Sequence, residues 1–239
     1  MAASILLAIT APSASGPQRG FMDCSGALLC GVLTIETGLG PGAYGHAKPA
    51  VHGLWPQVGE FGTSPCIAPK STADPTKVYS CYVDDVAGAA AQLTFEVHEW
   101  EKHGTCAGVT DATDFFNQVC KLSGGPIGVV AKTRSGGATD IQTFVNELNS
   151  AGFDVWDADD YNMQPELSAC AGADRKWKLA KQSDFATACG GGAPPGPPAP
   201  PGPQCQPGQH GPQCSADADC TSYPHCVRCA SSGFCTDAK

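Results

Sequence analysis

One stretch organises the chain, Val97-His98-Glu99-Trp100-Glu101-Lys102-His103-Gly104-Thr105-Cys106. If it is helical and Gly104 forms its C-terminal cap, a rotation of about 100° per residue brings four polar residues within roughly 140° of one face. This polar face consists of His98, Glu99, Lys102 and His103. Trp100 and Glu101 then point away, and we expect the indole to anchor the helix in the core.

The polar face indicates a functional cleft. Two imidazoles, a carboxylate and an ammonium group are costly to desolvate together, so proteins keep such clusters mainly where chemistry needs them. The alternative is a solvated helix face without a function. A second segment favours the cleft, because Val51-His52-Gly53-Leu54-Trp55-Pro56 supplies a third histidine beside a Trp-Pro pair.

The segments HGLWP and HEWEKHGTC together resemble the two active-site segments of the ribonuclease T2 family of acid endoribonucleases. The resemblance covers about residues 24–189 in cysteine layout and order, and it is close in the two histidine segments. It implies an enzyme that cleaves RNA through 2′,3′-cyclic phosphates to 3′-phosphate ends, with no metal and no cofactor.

The resemblance also implies catalytic roles. His103 corresponds to the general base of the first step and His52 to the general acid, although the opposite assignment stays open. Their ordinary pKa of about 6.5 suits both tasks. Lys102 would stabilise the charged phosphorane, Glu99 would support a histidine near the phosphate, and His98 would contact the phosphate. We expect Glu99 and the negative net charge to raise the histidine pKa values and to give a bell-shaped, acidic pH profile.

Two residues of the first segment bear on substrate binding. The indole of Trp55 offers a surface for base stacking, worth about 1–3 kcal/mol, or it locks His52 in the core, and the two roles are compatible. Gln57 stands where some family members carry an aspartate that reads the base. The family's usual Trp-Pro of the first strand is also missing from residues 30–38. Base preference therefore stays open.

Composition limits the class of partner. The chain has 239 residues and a formal net charge of −9, unlike proteins that hold nucleic acid by neutralising many phosphates. We expect weak, local binding of single-stranded RNA by a monomer. DNA should not be cut, because it lacks the 2′-hydroxyl nucleophile. Apart from its start, the chain has no apolar run near the roughly 20 residues of a membrane span.

Fourteen cysteines indicate an oxidising compartment. Residues 1–15 contain an apolar run followed by small residues, which is typical of a signal peptide, although the run lacks Lys and Arg. The alternative is a frayed N-terminus. We expect a secreted protein or a vacuolar (lysosomal) one.

Four disulfides are expected between residues 24 and 189, where eight cysteines lie. By analogy with the family, we expect the bridges Cys81–Cys106 and Cys170–Cys189. The remaining cysteines, which would form the other two bridges, are Cys24, Cys30, Cys66 and Cys120.

Composition also divides the chain. Residues 16–189 form the expected catalytic domain, and residues 190–204, GGGAPPGPPAPPGPQ, form a semi-rigid linker. Residues 205–239 carry six cysteines and almost no aliphatic core, which predicts a small disulfide-rich module. A zinc knuckle at Cys226 and Cys229 is the alternative. Carbohydrate or cell-wall binding, protease inhibition and stabilisation are all candidate roles for the module.

Local patterns predict an α+β fold, an antiparallel sheet flanked by helices. Strands are predicted at residues 31–36 and 50–54, helices at residues 84–92, 114–122 and 141–148, and a hairpin between Cys170 and Cys189. Residues 38–45 read as a mobile loop and residues 57–80 as loop. His46 and Lys48 are expected to be solvated, and contact with RNA is the alternative.

Two rival functions fit these residues less well. A zinc peptidase needs His-Glu-x-x-His, but Lys102 occupies the place of the second histidine and His103 lies one position too far along. A binding protein on an inactive ribonuclease scaffold would have no need of the complete set of polar residues, so catalysis is favoured.

Overall fold

The computed structural model describes residues 20–82 and 88–190, together with residues 214, 216, 220, 228–229 and 235–236. The chain divides into two compact units, Met1–Gly191 and Gly192–Lys239. The predicted signal peptide, nearly all of the predicted linker and most of the cysteine-rich module, including Cys226, lie outside the described residues. Those predictions therefore stay predictions.

The first unit is built on an antiparallel sheet of five strands. The strands are β1 (Leu29–Glu36), β2 (Ala50–Pro56), β3 (Val155–Asp159), β4 (Gln164–Ala171) and β5 (Trp177–Leu179). They run in the order β2-β1-β4-β3, and β5 pairs with β4. All eight residues of β1 are buried. Successive side chains enter opposite clusters of the core, since Leu33 belongs to one cluster and Val32 to the other.

Its described residues also form four α-helices: α1 (Gly88–Lys102), α2 (Ala112–Ser135), α3 (Ile141–Ser150) and α4 (Phe185–Ala188). The side chains of Asp111 and Asp140 cap α2 and α3 by accepting hydrogen bonds from the backbone N–H groups of Asp114 and Thr143, both at 2.9 Å. The predicted α+β class is confirmed. None of the helices in the described part of the chain combines the length and hydropathy needed to cross a lipid bilayer.

Two helices differ from their predicted bounds. α1 is one continuous helix from Gly88 into the polar segment, and the predicted start at Asp84 lies outside the described residues. α2 continues to Ser135 and includes Pro126, well beyond the predicted end at Leu122. Burial explains the extension. Phe115 and Phe116 begin an apolar face of α2 that packs into the core, and Val130 continues this face.

Gly104 does not form the expected helix cap. α1 ends at Lys102, and Gly104 begins a 3₁₀ turn, Gly104–Cys106, without the left-handed conformation typical of a capping glycine. Packing accounts for the glycine, because a Cβ atom at this position would collide with the buried ring of Trp100. The predicted anchoring role of Trp100 is confirmed: its side chain is fully buried.

The disulfide prediction is half right. The expected Cys170–Cys189 bridge is present, but Cys106 is bonded to Cys66 and Cys81 to Cys120. The predicted Cys81–Cys106 bridge is therefore wrong. The 3₁₀ turn after α1 pairs with the segment at Ile67, whose backbone N–H donates to the carbonyl of Cys106 at 3.3 Å, so Cys106 faces Cys66. The fourth bridge of this unit joins Cys24 and Cys30.

The second unit contains a short antiparallel pair, β6 (Arg228–Cys229) and β7 (Cys235–Thr236). Cys214 and Cys220 are both in disulfide bonds, as the module's composition predicted.

Candidate active site

β2 and the end of α1 bring the two histidine segments together. His52 lies on β2 with 9% of its surface exposed, and its ring packs edge-to-face with Trp55 and Phe95 at centroid distances of 5.0 and 5.1 Å. Tyr44 stacks on the ring at 5.8 Å. His52 is therefore held by aromatic rings from β2, α1 and the loop after β1.

Trp55 joins the two histidines. Its indole stacks on the imidazole of His103 with a centroid distance of 5.3 Å and an interplanar angle of 29°. Its N–H group donates a hydrogen bond to Oε2 of Glu99 at 2.9 Å. Trp55 thus contacts His52, Glu99 and His103, which come from two separate parts of the sequence.

Gly53 permits this close approach. A Cβ atom at residue 53 would collide with the carboxylate of Glu99 and lie 2.7 Å from the indole nitrogen of Trp55. Any side chain at this position would therefore displace the Glu99 carboxylate and the Trp55 indole from their present contact. The glycine between the histidine and the tryptophan is a requirement of the site that sequence reasoning missed.

His52 lies between two carboxylates. Its Nδ1 is 2.8 Å from Oε1 of Glu36, and its Nε2 is 3.6 Å from Oε1 of Glu99. Burial raises the pKa of Glu99 to about 7, although the positive charge of His52 and the Trp55 N–H oppose the rise. Glu99 is 1% exposed, so its carboxyl is largely protonated in mildly acidic solution.

His103 has the opposite environment. Burial, followed by the positive charges of His52, His98 and Lys102, lowers its pKa to about 4. The expected rise in the histidine pKa values is therefore wrong for His103, because desolvation and nearby cations outweigh the negative net charge. This imidazole is neutral over most of the acidic range.

His98 and Lys102 lie at the exposed end of the polar face. Their side chains make no hydrogen bond or ion pair with another residue that the structure describes. Both act on His103 through their charge. Gln57 is half-buried and donates to the backbone carbonyl of Trp55 at 3.4 Å, so it folds back on its own strand.

Glu36 and His46 are site residues that sequence reasoning missed or misplaced. Oε2 of Glu36 accepts from Nε2 of His46 at 2.8 Å, and only 5% of the His46 surface is exposed. The expected solvated role of His46 is therefore wrong, whereas Lys48 is exposed as predicted. Burial alone would raise the pKa of Glu36, but hydrogen bonds from His46 and His52 outweigh it and lower the pKa. A charged residue at the end of the otherwise uncharged β1 was the available signal.

A cavity of about 440 Å³ opens beside His52. Three of its lining residues, Glu36, Tyr44 and Phe95, also contact His52. The volume falls within the range of small-molecule sites. In the part of the chain that the structure describes, no group of three or more His, Cys, Asp and Glu side chains is arranged to hold a metal ion.

Comparison with known proteins agrees with this arrangement. Residues 41–125, which include both histidine segments, match the model of the Ribonuclease T2 family. No curated protein and no solved structure matches the chain. Together with the α+β fold and the bridged unit around the two histidines, the match shows that the chain carries a region of the ribonuclease T2 family at residues 41–125, and this region supports an endoribonuclease.

Proposed function

We propose that the protein cleaves single-stranded RNA by metal-independent transphosphorylation, through a 2′,3′-cyclic phosphate to a 3′-phosphate end. His103 acts as the general base and His52 as the general acid of the first step. One observation carries this assignment. The two imidazoles flank Trp55 in opposite electrostatic environments.

His52 suits the acid. An imidazolium at this position faces Glu36 at 2.8 Å and Glu99 at 3.6 Å, and both carboxyls favour the positive charge when ionised. A protonated His52 can give its Nε2 proton to the 5′-oxygen as the P–O bond breaks. The neutral ring then carries its remaining proton on Nδ1.

His103 suits the base. With a pKa of about 4 it is unprotonated in mildly acidic solution and can accept the proton of the ribose 2′-hydroxyl. Bound phosphate adds negative charge near His98 and Lys102, which offsets the cations that lower this pKa. The base therefore gains proton affinity when substrate arrives.

The remaining polar residues stabilise the phosphate. The ammonium group of Lys102 is exposed and lies next to His103, where it can offset the extra charge of the phosphorane, and His98 adds a second contact. Glu99, with a pKa of about 7, is mostly neutral below that pH and does not repel the phosphate. Its ionisation above pH 7 would weaken binding and give an acidic optimum.

Base binding involves Trp55 and the cavity beside His52. The indole stacks on His103, and the half-buried ring offers a surface for base stacking. The 440 Å³ cavity provides room for a second base on the side of the leaving group. We also propose that Gln57 contacts a base of the RNA, with no base preference assigned.

Localisation and partners follow from the family and the bridges. The match to the family and four disulfides in the first unit are typical of a secreted or vacuolar protein. We propose a monomer that acts on RNA but not DNA. Carbohydrate or cell-wall contact is proposed for the cysteine-rich module.

The test compares His52→Ala, His103→Ala and the control Lys121→Ala, which changes an exposed lysine on α2. Single-stranded homopolymer RNAs and matched DNA are digested with EDTA present, and ³¹P NMR follows the cyclic phosphate. We expect each histidine variant to lose at least about 10²-fold in rate and the control to stay near wild type. Loss of activity in EDTA, or early digests without cyclic phosphate, would overturn the mechanism.

A further inference from the structure

A chain of three buried side chains lies behind the proposed acid. His46 from the loop after β1, Glu36 at the end of β1 and His52 on β2 follow one another through contacts of 2.8 Å. The backbone carbonyl of Lys48 closes the chain at Nδ1 of His46, 2.5 Å away. Arg134 of α2 holds the same loop by donating to the carbonyls of Thr37 and His46 at 3.0 and 2.9 Å.

The contacts decide where the protons lie in His46. A carbonyl oxygen only accepts hydrogen bonds, so Nδ1 of His46 carries a proton toward Lys48. The carboxylate of Glu36 also accepts, so Nε2 carries a second proton. His46 is therefore an imidazolium, and it forms a buried ion pair with an ionised Glu36.

The same reasoning fixes the tautomer of His52. Its Nδ1 is 2.8 Å from Glu36 and 3.0 Å from the side-chain amide of Gln164. One ring nitrogen cannot donate to the first and accept from the second. The hydrogen bond to a charged carboxylate is the stronger of the two, so the proton lies on Nδ1. The oxygen of the Gln164 amide can then accept from the same proton after a 180° turn.

We propose that Glu36 is a positioning residue that, with His46 as its buried counter-ion, holds His52 in the Nδ1–H tautomer and directs Nε2 at the leaving oxygen. The proposal rests on the proposed function, because it assigns the orientation of the acid named there. Without Glu36, neutral His52 would be free to carry its single proton on either nitrogen. Only the tautomer with Nε2 unprotonated can take up a new proton on Nε2, the nitrogen that faces the cleft, and act again as the acid.

Other charged groups also act on His52. Glu99 of α1 faces Nε2, Glu166 of β4 interacts with the ring through its charge, and His103 opposes a positive charge there. Glu99 and Glu166 have pKa values of about 7, raised mainly by burial, and are largely neutral in acid. Glu36, whose pKa is lowered, is the carboxyl that remains charged where the enzyme is expected to work.

The test uses Glu36→Gln, which keeps the shape and removes the charge. The matched control is Glu96→Gln, which changes another fully buried carboxyl of the same unit. Each variant is assayed on RNA and on a ribonucleoside 3′-(4-nitrophenyl phosphate), whose leaving group departs without protonation. His52→Ala is assayed in parallel.

We expect Glu36→Gln to lower kcat on RNA by about 10²–10⁴-fold, with KM within about twofold, as for loss of an orienting carboxylate in a triad. Its loss on the aryl substrate should be under about tenfold. The alkaline limb of its pH profile on RNA should move to lower pH, because the charge of Glu36 helps to raise the pKa of Glu99. Glu96→Gln should match wild type on both substrates.

The experiment distinguishes failure of the proposed function from failure of the positioning role of Glu36. If the aryl substrate does not rescue His52→Ala, the assignment of His52 as acid is wrong. If it does, but Glu36→Gln has wild-type kcat on RNA or loses equally on both substrates, the positioning role alone is wrong. ¹⁵N NMR of the wild-type histidines requires no variant, and a neutral His52 protonated on Nε2 would also overturn the inference.

Discussion

The indole N–H of Trp55 donates a hydrogen bond to Oε2 of Glu99 at 2.9 Å, and this bond joins β2 to α1. The acceptor is a carboxyl that is 1% exposed, so water cannot replace the donor. The same indole stacks on His103. The side chain of Trp55 therefore contributes both to the stability of the fold and to the environment of His103, the proposed base.

Trp55→Phe should lower both stability and activity. The change leaves a buried oxygen of Glu99 without its donor, which costs about 1–3 kcal/mol, and it loosens the stacking on His103. Denaturant unfolding and RNA cleavage measure the two effects. Trp177→Phe is the control, because it removes a bond of the same kind, from the indole N–H to the carbonyl of Ala107 at 3.0 Å. Equal activity losses in the two variants would contradict a specific role for Trp55.

The activity should show two limbs in its pH profile. The rate rises as His103 loses its proton near pH 4 and falls as Glu99 ionises near pH 7 and repels the phosphate. Profiles of kcat/KM report these groups in the free enzyme. An optimum above pH 8 would be incompatible with this assignment.

Lys102→Gln should move the acidic limb to higher pH. The positive charge of Lys102 lowers the pKa of His103, so its removal lets that pKa rise toward its ordinary value of 6.5. The maximal rate should also fall, because the phosphorane loses a cation. Lys121→Gln provides a control with the same loss of charge at a distant exposed site. An unchanged acidic limb in Lys102→Gln would show that this charge does not tune His103.

Stability should fall as pH rises from about 4.5 to 7. Burial raises the pKa values of Glu96, Glu99 and Glu166 from 4.5 to about 7, so the folded state keeps protons that the unfolded chain releases in this range. The lowered pKa of His103 makes stability rise with pH between about 4 and 6.5, but the effect of this one group is smaller than the combined effect of the three carboxyls. Thermal unfolding of wild type and Glu96→Gln across this range is the measurement. The variant should show a shallower fall, and stability that increases up to pH 7 would refute the raised carboxyl pKa values.

The two kinds of bridge should differ in their effects. Replacing Cys66 and Cys106 by serine opens a loop of 40 residues and should cost about 4 kcal/mol, against about 2 kcal/mol for Cys24 and Cys30, which enclose 6. Only the first pair should lower activity, because Cys106 follows His103 by one 3₁₀ turn. Denaturant unfolding and RNA cleavage test both statements. Peptide mapping that recovered a Cys81–Cys106 bridge would contradict the structure.

The polar face of α1 and the short strand of His52 were predictable because they depend on local patterns. A helix places residues three and four apart on one face, and this periodicity located Glu99 and His103 without any knowledge of partners. Helix α3 followed from the same periodicity, and the buried Trp100 confirmed the direction of the polar face. The length of α2 did not follow, because its second half is stabilised by burial rather than by helix propensity.

By itself, the amino-acid sequence determined the two histidine segments, the class of fold and the match of residues 41–125 to the ribonuclease T2 family. Tertiary structure alone decided that Cys106 is bonded to Cys66 and Cys81 to Cys120, and that Glu36 reaches His52. β1 pairs with β2 through a register shift between Thr34 and Ile35. This shift places Glu36 opposite Ala50, two residues before His52 on β2. A shift of one residue reverses the face on which a strand side chain lies, so such contacts depend on the register of the whole sheet.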